Sequence, residues 1–198
     1  MSVDASIRTP GALCAEMSPR MDAREPQAIL FRNARGHTFK LTSAVVGQLW
    51  SHAQIDKRLR EAGGVLLGRY LLHTDDVVVD QITVPLKSDL RTRSGFVRGT
   101  AGHQEVVNRV WEASNGACHY LGEWHTHPEA KPSPSSIDAA NWRRLLLHYR
   151  ADPDPLYFVI VGTQGIAAWQ GYKKPIRLER LTAIAGKEEP PHETNPDY

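Results

Sequence analysis

Two histidines, a serine and an aspartate crowd into one short stretch of this chain: Gly122-Glu-Trp-His-Thr-His-Pro128, followed by Ser135-Ser-Ile-Asp138. On an extended strand, side chains two apart leave the same face, so His125 and His127 can converge on one ion. On a helix they would diverge by about 200°. The preceding Cys118-His-Tyr-Leu-Gly-Glu-Trp124 reads as a strand, and Pro128 stops it. Asp138 opens a helical pattern, because Trp142, Leu145, Leu146 and Tyr149 follow at helical spacing. Four residues before Trp142, it takes the buried side of that helix and can point back at the histidines. Two imidazoles and one carboxylate, with a fourth position for water, are the ligand set of a catalytic zinc, so one Zn2+ per chain is expected. Ser135 and Asp138 also have the spacing of a capping box with Asp in place of Glu, a role compatible with chemistry. Strand parity puts Glu123 on the histidines' face, either hydrogen-bonded to a ligand imidazole or paired with an arginine. The same parity turns Cys118 away unless a bulge intervenes.

The joint spacing, His-Thr-His-Pro, six residues, Ser, two residues, Asp, resembles position for position the signature of the JAMM (JAB/MPN) metalloprotease family. That family's pattern includes an upstream glutamate, which Glu61 matches in Glu-Ala-Gly-Gly-Val-Leu-Leu-Gly68. The resemblance implies that His125, His127 and Asp138 bind zinc, that Glu61 is the general base, and that the Ser135 hydroxyl stabilises an oxyanion. It implies an α/β (α+β) domain of the JAB/MPN, cytidine-deaminase-like fold, with a mostly antiparallel sheet flanked by helices, and it covers about Thr42 to Gln170. The implied activity is a zinc-dependent isopeptidase or peptidase, cutting after the C-terminus of a ubiquitin-like-conjugated protein. Glu-Ala-Gly-Gly-Val-Leu-Leu-Gly and Gly-Glu-Trp-His-Thr-His-Pro-Glu look most like stand-alone prokaryotic members. Some of these accompany ubiquitin-transfer-like enzymes in CBASS anti-phage operons, where they deconjugate a nucleotidyltransferase. The alternative within the family is a peptidase that trims sulfur-carrier precursors. The implied partner is a protein with an extended C-terminal tail, and the basic loop from Lys87 to Arg98, with Arg91, Arg93 and Arg98, is a candidate flap over that tail.

Other classes fit less well. A metal-free scaffold would lack the ligands, and a metal-dependent amidohydrolase barrel typically needs about 250 residues. His-Glu-x-x-His is absent, and neither Cys14 nor Cys118 has an adjacent base. His37, His52, His73, His103, His119, His148 and His192 are scattered and read as surface or satisfied core residues.

The elements that must position these groups fit one domain of 198 residues. Residues 1–25 read as a flexible arm, 26–180 as the metalloprotease domain, and 181–198 as a disordered acidic tail. A net charge of +2 is too small to point to nucleic acid. Two cysteines, with no apolar span or signal-peptide pattern, suggest a cytoplasmic protein without a membrane partner. Gln27-Ala-Ile-Leu-Phe-Arg and His37-Thr-Phe-Lys-Leu read as a hairpin. A helix capped by Thr42 or Ser43 is expected to run to Ala62, with Glu61 in its last turn and Gly63-Gly64 as its stop. Strands 65–72 and 77–84 follow, then the basic loop, a second helix ending at Asn115-Gly116, the metal strand and helix, and a closing hairpin of 156–161 and 166–170.

Overall fold

The computed structural model describes residues 26–149 and 155–184; the expected arm and the chain beyond 184 lie outside the described residues. A hairpin of β1 (Ile29–Arg32) and β2 (Thr38–Leu41) leads into α1 (Ser43–Ser51), then β3 (Gly63–Tyr70) and β4 (Val77–Ile82). A small hairpin, β5 (Leu90–Thr92) and β6 (Gly95–Val97), precedes α2 (Thr100–Ala113), β7 (His119–Thr126) and α3 (Ser136–His148). The chain continues through β8 (Leu156–Val161), β9 (Ile166–Lys173), β10 (Ile176–Arg180) and β11 (Thr182–Ile184). Nine strands form one sheet in the order β10-β9-β8-β7-β3-β4-β2-β1-β11. Only the β2–β4 and β7–β8 pairs among them are parallel, so the sheet is mostly antiparallel, as expected.

Both faces of this sheet are covered. Val45, Val46 and Leu49 of α1 pack on Leu41, Leu66, Leu121 and Trp124 on one face. On the other, α3 sets Trp142 and Leu146 against Phe158, Ile160 and Trp169, and α2 sets Val106, Val107 and Val110 against Val65, Leu67 and Cys118. Covered on both sides, β8 is buried at every position, which its unbroken apolar run requires. Trp142 stacks on Phe158 with ring centroids 4.6 Å apart, and this contact seats the metal helix on the sheet. No helix among the described residues is long and apolar enough to cross a membrane.

Three expectations are corrected. The first helix starts where predicted, with Thr42 Oγ1 accepting from Val45 N–H at 3.4 Å, but ends at Ser51. Residues 52–62 are a turn-rich connector that leaves Ile55 and Leu59 exposed, although their spacing continued the helical pattern. Within the connector, Asp56 Oδ1 accepts from the Arg58 N–H at 2.8 Å, a local bond that competes with helix. Gly63-Gly64 therefore opens a strand: a Cβ on Gly63 would lie 2.5 Å from the Phe96 ring, and one on Gly64 would collide with the Thr83 carbonyl.

Second, the β3–β7 register slips at Leu66/Leu67, opposite Gly122 and Tyr120, so Leu121 is an extra residue in β7. The bulge returns Cys118 to the histidines' face, where it lies beneath α2. Third, the segment expected as a basic loop holds the β5–β6 hairpin, and β10 and β11 extend the sheet to Ile184 beyond the expected closing hairpin.

Candidate metal centre

β7 delivers His125 as its penultimate residue, paired across to Gly63 on β3 and Ile160 on β8. His127 lies just beyond the strand, held by its own N–H donating to Val161 O at 2.9 Å. The two Nε2 atoms are 3.0 Å apart, and each lies 3.4 Å from an oxygen of Asp138 (Oδ1 for His125, Oδ2 for His127). A tetrahedral site with bonds of 2.0–2.1 Å has donor–donor edges of about 3.3 Å. The triangle matches that edge length, so these three residues fit one metal ion with an open position.

Asp138 is the N3 residue of α3 and does two jobs. Its Oδ2 accepts from the Ser135 N–H at 2.7 Å and the Ser135 hydroxyl at 2.6 Å, while Ser135 Oγ accepts from the Asp138 N–H at 3.2 Å. This is the capping box that the spacing suggested. It locks the carboxylate's rotamer and turns Oδ1 to His125. Burial pushes the Asp138 carboxyl upward, but hydrogen bonds from His125 and His127, the charge of His125 and the Ser135 hydroxyl outweigh it and hold it well below the usual range. Burial likewise works to lower His127, and Asp138, Glu61 and Glu129 together overcome it and raise its pKa. Ser135 is exposed and lines the cleft, with its proton directed at Asp138 in this arrangement.

Glu61 enters the same cleft from the connector before β3, where the sequence suggested a helix end. Only 6% exposed, it has a pKa raised to about 7: burial raises it most, His127 opposes and Asp138 adds. Its backbone is clamped from both sides. The Glu61 N–H donates to Thr92 O at 2.7 Å, and Arg91 Nε donates to Glu61 O at 2.6 Å.

Arg93 similarly donates to Lys57 O at 2.7 Å. The guanidinium groups of Arg91 and Arg93 thus hold connector carbonyls. Arg98 does line the cleft, with Nη2 2.7 Å from Glu123 Oε1. Glu123 accordingly takes the arginine and not a ligand imidazole, the other alternative its position had left open. Beneath the hairpin, one buried carboxylate closes the basic loop: Asp89 accepts from the Leu86 N–H at 2.7 Å and the Gly99 N–H at 2.8 Å. His103 bridges Asp89 (3.2 Å) to Thr83 (2.6 Å), a satisfied core histidine as expected. The resulting cleft, about 390 Å³, runs between Gly95–Arg98 and the first turn of α3.

Two polar residues beside the site were not singled out from the sequence. Thr126, between the two histidines and fully buried, accepts from the Ala62 N–H at 2.9 Å and donates to Gln54 Oε1 at 3.1 Å. A signal existed for Thr126: parity turns its hydroxyl toward the core beside Trp124, where it must find a partner. For Gln54 there was none, since its partners Arg93 and Thr126 lie far along the chain.

A family model described as prokaryotic homologs of the JAB domain matches residues 42–172. The chain belongs to the prokaryotic JAB family. Within it, a protein named CD-NTase/cGAS isopeptidase from Pseudomonas aeruginosa is 41% identical over 115 residues, 58% of this chain and 71% of that one. Proteins of the same name from Escherichia coli and Vibrio cholerae are 38% identical over 141 residues and 34% identical over 146. These alignments span 71% and 74% of this chain, and 85% and 88% of the relatives. The JAB match begins at Thr42, so β1 and β2, which lie between β4 and β11 in the sheet, fall outside the matched region.

Proposed function

We propose that this JAMM-type hydrolase is a zinc-dependent isopeptidase that releases a CBASS nucleotidyltransferase from proteins to which its C-terminus has been joined, as part of anti-phage defence in the cytoplasm. The observation that carries this reading is the donor triangle of His125, His127 and Asp138 beside a buried Glu61 in one cleft. The family and the names of the relatives supply the substrate class. A zinc ion held by the three donors would supply Lewis acidity, making water a nucleophile near neutral pH and polarising a carbonyl.

The chain's own groups account for the rest. Glu61, buried in the wall of the same cleft, takes a proton from water at a carboxylate oxygen and returns it to the leaving amine nitrogen. Ser135 turns its hydroxyl from Asp138 to donate to the oxyanion. An extended tail lies along Gly95–Arg98 and is read by alternate side chains, with Val97 and Ile137 exposed at the cleft mouth and Arg98 on its wall. Arg91 and Arg93 serve the tail indirectly, through the connector that carries Glu61.

The test uses a conjugate of a CBASS nucleotidyltransferase, joined through its C-terminal carboxyl to a lysine, with mass spectrometry of the products. Cleavage at that junction, stopped by a strong chelator and restored by zinc, supports the proposal. No cleavage there, with efficient trimming of a sulfur-carrier precursor, transfers the assignment to the precursor peptidase.

A further inference from the structure

We infer that Gln54 is a positioning residue for the base: through Thr126 it sets Glu61 against the metal strand, and through the β5–β6 turn it ties that setting to the cleft wall. This rests on the reading of Glu61 as the base. Gln54 is only 2% exposed and its carboxamide is the joint of three segments. Its Oε1 accepts from the Thr126 hydroxyl at 3.1 Å, on the strand between the two ligand histidines. Its Nε2 donates to Leu59 O at 3.2 Å in the connector and to Arg93 O at 2.8 Å in the hairpin turn.

Thr126 completes the link to the base. Its Oγ1 accepts from the Ala62 N–H at 2.9 Å, and its own N–H donates to Ala62 O at 2.8 Å. Ala62 follows Glu61 directly, so the base is one residue from a two-bond clamp on the metal strand. The connector has neither helix nor strand of its own at Glu61, and its backbone groups are satisfied by these long-range partners. A fully connected buried network of this kind sets one geometry, and a partly connected one loses it. Misplacing a reacting group by about 1 Å can cost on the order of 100-fold in rate. Gln54 touches neither ligand nor cleft, so its loss acts on kcat rather than on substrate binding.

The test compares Gln54→Met and Thr126→Val, which keep volume and remove hydrogen bonds, with Thr126→Ser, which keeps the hydroxyl. Glu61→Gln runs alongside. Zinc content and amide hydrogen exchange are measured first, without substrate. Zinc stays near one per chain, and the Glu61 and Ala62 amides of Gln54→Met exchange about tenfold faster or more while Val159 in β8 stays protected. With a nucleotidyltransferase fused through its C-terminus to green fluorescent protein as substrate, kcat falls about tenfold or more in Gln54→Met and Thr126→Val. KM stays within about threefold, and Thr126→Ser recovers most of the rate. Unchanged exchange or unchanged kcat in both variants, with Glu61→Gln inactive, overturns the inference alone. Loss of zinc, or failure of both variants to fold, also overturns it, since the network would then serve the metal or the whole fold. An active Glu61→Gln brings down the reading of Glu61 as the base instead.

Discussion

Glu61→Gln should separate what the buried carboxylate does for catalysis from what it costs the fold. In the metal-free protein the Glu61 pKa rises from 4.5 to about 7, chiefly because burial penalises the charged form. The folded chain therefore binds this proton more tightly than the unfolded chain. Stability falls as pH rises from about 4.5 to about 7 and levels off above that. At 1.36 kcal/mol per unit, the plateau penalty is about 3 kcal/mol, against under about 1 kcal/mol at pH 5. Glutamine has the same shape and never ionises. Chelator-treated Glu61→Gln should thus exceed the wild type by up to about 3 kcal/mol at pH 8 and by under about 1 kcal/mol at pH 5. Urea unfolding at the two pH values reads this as a midpoint shift of about 1 M or more at pH 8, for a slope near 2 kcal/mol/M. Groups that do not interact with Glu61 are common to both proteins and cancel in the difference, whereas His127, whose pKa Glu61 helps to raise, contributes to the measured gap. The metal-loaded variant should keep its zinc while turnover drops roughly 100-fold or more. A stability gap that does not widen from pH 5 to pH 8 refutes the burial argument, and a Glu61→Gln enzyme that still turns over refutes the role.

Purified protein should carry about one zinc per chain by elemental analysis, and His125→Ala or Asp138→Ala should lose metal and activity together. Ser135→Ala removes the cap of α3 and should cost about 1 kcal/mol in thermal or urea unfolding. If the hydroxyl also serves the oxyanion, its kcat falls by more than tenfold with zinc retained. Gly122→Ala should destabilise the fold by about 3 kcal/mol or more by the same unfolding measurement, because φ there is +144° and an added Cβ would collide with the Tyr157 carbonyl. A Gly122→Ala protein as stable as the wild type would contradict the backbone geometry of β7 beside its bulge.

The triangle of His125, His127 and Asp138 was legible because its geometry is local. Period-two alternation aims His125 and His127 together whatever else the chain does, and a serine three residues before an aspartate caps a helix while holding that carboxylate still. The β1–β2 and β8–β9 hairpins and the helix bearing Asp138 followed from short-range patterns of the same kind. Glu61 was reachable only by likeness to a family, since the apolar spacing around it spoke for a helix that stops ten residues earlier, at Ser51. The connector after that helix is held by one local bond, Asp56 with Arg58, and by partners across the fold: Gln54 with Thr126, Glu61 with Thr92, and Arg93 with the carbonyl of Lys57. Long-range pairing likewise placed the extra residue at Leu121, gave Glu123 to Arg98, and added β10 and β11 to the sheet edges. Alternation and capping act within a few residues, so the sequence itself determines them. Which buried polar group satisfies which depends on surfaces that meet only when the sheet assembles, and the tertiary structure alone decides it.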